Sequence, residues 1–147
     1  MVTPLVDADP IGAALPYLNA HADVTAALGG AGRVGGTNRP PYPRVLLTDL
    51  PGGDDRTLRH LISSLVQVEV LGDLDGSPGK AALRRMLYVV LGALEEWPRV
   101  PVGPQDVVVT SVASASGGGW LPLADQPRYV GTVRVHLHPP RVAPGTA

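Results

Sequence analysis

The sequence predicts a single α+β domain with a mainly antiparallel sheet of about four to five strands, a long helix packed on one face, and short N-terminal helices. The 147 residues suit one domain with one hydrophobic core. Several segments alternate between apolar and polar residues, as strands do, and one long segment has the spacing of an amphipathic helix. Strand pairs joined by short connections favour antiparallel pairing. We expect residues 1–139 to form this domain and residues 140–147 to be a flexible tail.

The composition narrows the classes of function. The net charge is −1, so no excess of basic residues favours binding to nucleic acid or to an anionic membrane. Cysteine is absent, which excludes disulfides, thiolate zinc sites and a cysteine nucleophile. The longest apolar run, Met86–Leu94, is far shorter than the roughly 20 residues of a membrane span. Met1–Pro10 has no basic residue, so we expect no signal peptide there.

Two short helices are predicted near the N-terminus. Asp9 can cap the first, and Pro10 fits its first turn, where the missing N–H costs no hydrogen bond. Pro16 lies inside this helix and predicts a kink or an early end. Asp23 can cap a second helix, Val24–Leu28. The apolar stripe of the first helix consists of Ile11, Ala14, Leu15 and Leu18.

The next segments predict a loop followed by two strands. Gly29–Pro43 is rich in glycine and proline and is expected to be loop, with a short strand at Arg33-Val34. Arg44–Leu50 is predicted to be a strand, and Pro51–Asp55 has the composition of a turn. Leu65–Val70 alternates cleanly and predicts a strand that begins as early as Leu61.

The longest helix is predicted to open at Ser77-Pro78 and run to Glu96, where Trp97-Pro98 ends it. Its apolar stripe extends well past one face of the helix. A helix with so wide a stripe is usually covered on two sides, by its own domain or by a neighbouring subunit. The stripe consists of Leu83, Leu87, Val90, Leu91 and Leu94, widened by Met86, Val89 and Ala93.

Two strands are predicted after this helix. Asp106–Ala113 is the first, and Gly117–Gly119 is expected to break it. Trp120 follows the glycines and is expected to fold onto the core. Arg128–His138 alternates almost perfectly and predicts the last strand. The predicted core between sheet and long helix consists of Val66, Val68, Val70, Leu87, Leu91, Val133 and Val135.

His136 and His138 are the residues with the greatest potential for chemistry, because two imidazoles on one face of a strand can bind zinc or copper. A zinc site needs further ligands, and no spacing in the sequence brings His21, His60 or a carboxylate close to the pair. We therefore interpret the two histidines as polar residues on an outer or interface strand. The chain contains no paired-carboxylate, Ser-His-Asp or Cys-His pattern. We expect no catalysis, no cofactor and no metal.

The segment Pro51–His60 is the candidate contact region. It contains Asp54, Asp55, Arg56 and Arg59, which offer both signs of charge. Loops carry binding functions more often than the elements that they connect. A solvated turn is the alternative interpretation. We hypothesise that these four residues contact a neighbouring subunit or a tube.

Several segments, in this order, resemble the tail terminator (tail-completion) proteins of long-tailed bacteriophages. The resemblance covers residues 5–139 and depends on the order and local character of the elements. The segments are Asp7-Ala8-Asp9-Pro10, the strands Pro43–Thr48, Val66–Gly72 and Val107–Thr110, the helix opening Lys80-Ala81-Ala82, and the C-terminal Trp120-Leu121-Pro122, Pro127–Val130 and Val133–Pro139.

The resemblance implies a structural virion protein. Such a protein forms a ring, in this family a hexamer, that caps the tail tube at its head-proximal end. Its expected partners are other copies of itself, the tail tube protein and a head-completion or stopper protein, while DNA passes through the lumen without specific binding. It is made in the host cytoplasm and does not act at a membrane. The family has no catalytic residues to transfer, and Gly29–Pro43 and Gly117–Gln126 follow no fixed family pattern.

Three alternatives remain open at this point. The chain could be another neck or tail component, either a head-closure protein or a tail-tube subunit. It could be a small metal-dependent enzyme that uses His136 and His138. It could also be a binding module with a pocket for a small ligand. A tube subunit polymerises along the tail, whereas a terminator stops at one closed ring, so the assembled state separates the first alternative from the terminator.

Overall fold

The computed structural model describes residues 8–57, 61–101 and 107–139, with residues 52–57 and 61 described by their backbone alone. Within these ranges a five-stranded sheet carries helices on one face, which confirms the α+β prediction. The elements are α1 (Pro10–Ala20), α2 (Ala22–Leu28), β1 (Val34–Gly35), β2 (Arg44–Thr57), β3 (Leu61–Leu71), α3 (Lys80–Glu96), the 3-10 turn Trp97–Arg99, β4 (Val108–Trp120) and β5 (Arg128–His138). No described helix is long and apolar enough to cross a membrane.

The strands lie in the order β1-β2-β3-β5-β4. The short β1 runs parallel to β2, and the other three pairs are antiparallel. The central pair is regular: β3 from Ile62 to Leu71 pairs with β5 from Leu137 back to Arg128. Because β2, β3, β5 and β4 alternate in direction, the sheet has two distinct ends. We call the end with Thr57 and Leu61 the hairpin end and the opposite end the loop end.

The face of the sheet under the helices forms the core. β5 alternates between buried and half-buried residues along its whole length, as its sequence predicts. Six of the seven predicted core residues are buried, and Leu87 and Val68 are fully so. Leu91 is the exception, because it is only half-buried at the margin between α3 and β4. α3 itself begins at Lys80, after Gly79, two residues later than Ser77-Pro78 predicts.

The N-terminal helices differ from prediction in two details. The Asp9 carboxylate accepts a hydrogen bond from the Ile11 amide at 3.1 Å, so the predicted cap is present. Pro16 does not end α1, which continues to Ala20, because burial of Leu18 against the core stabilises the turn that follows the proline. Asp23 lies within the first turn of α2 and is not its N-cap, a position that His21 occupies.

β2 is longer than its sequence predicts. The prediction of a turn at Pro51–Asp55 is wrong, because β2 continues through these residues to Thr57. Leu50 pairs with Leu65, and Asp54 with Ser63, so the register shifts between them and the strand absorbs extra residues as a bulge. The proline, which cannot donate to a ladder, lies within this irregular stretch.

β4 is also longer than predicted, because it passes through Gly117–Gly119 and ends at Trp120. The register shifts on either side of Ser116, so these residues form an irregular part of the ladder. A Cβ on Gly118 would lie 2.8 Å from Leu87 Cδ2, so this glycine lets α3 approach the strand closely. The Gly118 amide donates to the Tyr88 hydroxyl at 3.3 Å, which joins the two elements.

The prediction that Trp120 folds onto the core is wrong: its side chain remains 37% exposed. It ends β4 opposite Tyr129, and the centroids of the two rings lie 6.2 Å apart. The Lys80 ammonium at the start of α3 lies 5.4 Å from the centroid of the indole. The helix therefore begins beside the tryptophan and leaves part of the ring uncovered.

Candidate assembly surfaces

The sheet face opposite the helices carries a nearly buried ion pair. Glu69 of β3 and Arg128 of β5 lie 2.8 Å apart, with side chains only 11% and 15% exposed. The Gln67 amide donates to the same Glu69 oxygen, and Arg128 also donates to the Leu121 carbonyl at 2.8 Å. The alternation that points the valines of β3 inward places these polar groups on the opposite face. The pair fixes the start of β5 and the loop after β4 on that face.

The same face remains polar toward the hairpin end. Arg134 donates to the Ser63 hydroxyl at 3.3 Å, and His136 Nδ1 lies 2.9 Å from the Ser111 hydroxyl. Leu65 lies between these groups and is half-buried. This combination of paired polar groups and partly exposed apolar side chains resembles the surface of a non-obligate interface.

His136 and His138 share this face, as predicted for alternate residues of a strand. His138 Nδ1 lies 3.1 Å from the carbonyl oxygen of Pro139, so each imidazole already has a polar neighbour. Across the described part of the chain, no three histidine, aspartate or glutamate side chains lie together in a way that could hold a metal ion. The position of the two histidines on the polar face of β5 agrees with their interpretation as surface polar residues.

At the loop end, two amide side chains connect three loops. The Gln126 side chain is nearly buried and donates to the Gly72 carbonyl at 2.8 Å. Asn38 donates to Gln126 Oε1 at 2.8 Å, and the Tyr42 hydroxyl donates to Asn38 Oδ1 at 2.7 Å. Sequence reasoning missed this cluster, because isolated amide residues in glycine- and proline-rich segments form no motif. The cluster brings Gly29–Pro43 and Gly117–Gln126 together, the two segments that the resemblance left without a role.

Arg44 extends this cluster at the first residue of β2. Its side chain is nearly buried and donates to the Thr37 carbonyl at 2.9 Å. Burial lowers the pKa of the guanidinium from its ordinary value, and the nearby charge of Arg39 lowers it further. The loop before β2 is thereby fixed to the sheet by a buried cation.

Large apolar side chains are exposed at the same end. Leu74, in the loop after β3, is 70% exposed, and Leu121 and Leu123, after β4, are 57% and 44% exposed. Trp120 ends β4 and directly precedes Leu121 in the chain. Exposed large apolar residues at one end of a domain are typical of a contact surface. We call these four residues the apolar end.

Three of the four predicted contact residues lie at the opposite, hairpin end of the sheet. The backbone of Asp54, Asp55 and Arg56 belongs to β2, so these residues are part of a strand and not of a loop. Arg59 lies outside the described residues. The side chains of Asp54, Asp55 and Arg56 also lie outside the described part of the structure, so the role of the four residues as contacts remains a hypothesis.

Comparisons with known proteins concern the fold as a whole. No family model matches the chain, and no curated protein is similar to it. Among solved structures, the fold is similar to that of a chain in the virion of a native gene transfer agent particle, with a TM-score of 0.57. The similarity covers 89% of this chain and 96% of that chain, at 16% sequence identity. At this identity the comparison establishes a shared fold along almost the whole of both chains.

Proposed function

We propose that this chain is a structural protein of a phage-like virion and, within it, the tail terminator that caps the tail tube as a ring. The observation that carries the proposal is the shared fold with a chain of a gene transfer agent virion, because it spans nearly the full length of both chains. An independent line of support is the resemblance of residues 5–139 to tail terminator proteins, which rests on sequence alone.

The distribution of surfaces supports a subunit of a ring. A closed ring needs heterologous contacts, in which one patch of a subunit meets a different patch of the next. The chain has two dissimilar ends, since the loop end exposes Leu74, Leu121 and Leu123, whereas the hairpin end carries charged residues. The face with Glu69 and Arg128 provides a third, polar surface. Different patches can therefore serve the neighbouring subunit, the tube and the head-completion protein.

The charge of the chain supports a conduit for DNA. The net charge is −1, and a ring of such subunits adds no strong positive potential to its lumen. Basic residues that neutralise phosphates hold DNA through counterion release. A lumen without such an excess allows DNA to pass without specific binding. In this proposal the protein acts at the head-proximal end of the tail and has no catalytic role.

Localisation in assembled particles tests the proposal. An epitope-tagged chain, visualised by electron microscopy of purified particles, should label one ring between tail and head. A tagged tube protein is the matched control and should label the whole tail. If the chain labels the tail along its length, it is a tube subunit; if it remains on heads that lack tails, it is a head-closure protein. Either result would contradict the terminator role.

A further inference from the structure

α3 carries its charges in the order opposite to the one that favours an isolated helix. Its first six residues include Lys80, Arg84 and Arg85, and its last two are Glu95 and Glu96. Basic groups near the positive N-terminal end of a helix dipole and acidic groups near the negative C-terminal end are both unfavourable. Four of these residues, Arg84, Arg85, Glu95 and Glu96, are exposed on the solvent side. Sequences depart from these charge preferences of helix ends where the surface is used for binding.

The solvent side of α3 also has an open position at its centre. A Cβ on Gly92 would meet no described atom within 4 Å, although glycine in the middle of a helix weakens it. Two grooves meet at Gly92 and Tyr88, one of about 420 Å³ toward α2 and one of about 270 Å³ toward β4. Tyr88 is 43% exposed, and the Arg84 guanidinium carbon lies 4.8 Å from the centroid of its ring.

The two features are related by symmetry about the middle of the helix. Val90 is fully buried, so the centre of the solvent side lies directly opposite this residue. Successive residues turn by about 100° around a helix, so residues equally far before and after Val90 occupy mirrored positions on the solvent side. An antiparallel two-fold axis across that centre reverses position along the helix but keeps the lateral side, so it brings the basic end of one helix against the acidic end of the second copy. The nearest pairs across the axis are Arg84 with Glu95, Arg85 with Glu96, and Tyr88 with Gly92.

We propose that the solvent side of α3 binds α3 of a second copy of this chain, antiparallel and about a two-fold axis opposite Val90. In this arrangement, basic residues of each helix meet acidic residues of the other, and the two helix dipoles oppose each other. Tyr88 of each copy covers the open position at Gly92 of the other. The Glu96 Oε2 atom lies 3.3 Å from His21 Nε2. The Glu96 side chain is nevertheless 62% exposed, so it remains accessible to a second partner.

The contact does not depend on the virion role proposed above. An isologous contact closes after two copies and adds no subunits beyond the pair. It uses neither the polar sheet face nor the apolar end. The helix is only about 25 Å long, so the interface is small and its affinity modest. Because charge pairs contribute much of the specificity, the association is sensitive to salt.

The experiment uses two charge-reversed forms of the full chain. One carries Arg84→Glu with Arg85→Glu, which makes the α3 surface acidic, and the other carries Glu95→Arg with Glu96→Arg, which makes it basic. Sedimentation equilibrium should show that neither form pairs alone, because like charges meet across the axis. An equimolar mixture should pair and produce twice the mass of either form alone. The mixture should still pair at concentrations at least about tenfold below those at which either form alone begins to pair.

The controls separate this contact from general attraction between acidic and basic proteins. A second pair of forms has the same net charges but changes exposed residues outside α3, Arg39→Glu with Arg99→Glu and Asp73→Arg with Asp125→Arg. Mixing these forms should produce no more pairing than the unchanged chain. In about 1 M salt, where the Debye length is about 3 Å, pairing of the α3 mixture should fall sharply. Equal pairing of the control mixture, or no pairing of the α3 mixture, would overturn the proposal.

Discussion

Val66, Val68 and Val70 of β3 lie under the helices, whereas Gln67 and Glu69 of the same strand lie on the opposite face. The first set packs into one continuous apolar core. The second joins an ion pair and a chain of hydrogen bonds that extends to β5. Both faces are largely buried at the loop end, yet by different means: helices cover one, and charged groups with loops cover the other. The two faces therefore stabilise the domain in different ways, one by apolar burial and the other by paired polar groups.

The largest effect should come from the covered face. Leu87→Ala removes a fully buried side chain of α3, and the free energy of unfolding should fall by roughly 2–5 kcal/mol because a cavity remains. Leu91→Ala is the matched control on the same helix, and its half-exposed position should limit the loss to about 1 kcal/mol. Urea denaturation of both variants measures the difference. Equal losses would mean that α3 is rotated about its axis relative to this structure.

A smaller effect is expected on the polar face. Glu69→Gln keeps the shape of the side chain but leaves the Arg128 guanidinium without its anion, so unfolding should become easier by about 1.5–3 kcal/mol. The double variant Glu69→Gln with Arg128→Gln should recover part of this loss, because no unpaired charge then remains. A double-mutant cycle by chemical denaturation gives the coupling energy of the pair. A coupling near zero would show that the pair is effectively solvated.

The smallest effect on the fold is expected at the hairpin end. Arg56→Glu with Arg59→Glu should change the free energy of unfolding by no more than about 0.5 kcal/mol, as is usual for surface sites. The same variant should fail to complete tails in a complementation assay, because charge pairs at an interface decide partner choice. Arg56→Lys with Arg59→Lys preserves the charge and should retain activity. Normal yields of infectious particles from the glutamate variant would identify these residues as a solvated surface.

The contrast between the faces also explains which sequence predictions were correct. The alternation of Arg128–His138 and of the segment that ends at Val70 predicted both strands and their inward residues, because burial on one face imposes a period of two. Local turn signals were less reliable. Pro51 and Gly117–Gly119 predicted breaks, but pairing with the neighbouring strands carried β2 and β4 through them as bulged strand.

The candidate surfaces were less predictable than the core. Leu74, Leu121 and Leu123 are far apart in the sequence and share an end only because β3, β4 and β5 meet there. The buried amide of Gln126 reaches Gly72 and Asn38 across long separations in the chain, and no local pattern marks such a contact. The four charged residues of the segment Pro51–His60 were identified from composition alone, and their function as contacts remains a prediction.

The sequence by itself determined the class of the fold, the order of the main elements and the inward residues of the core, because hydrophobic periodicity is a local property that burial enforces. It also placed opposite charges at the two ends of α3, whatever fold the chain adopts. Only the tertiary structure decided which side of α3 faces solvent, how far β2 and β4 extend, and that Glu69 meets Arg128. These features depend on contacts between distant segments, whose energies no local pattern contains.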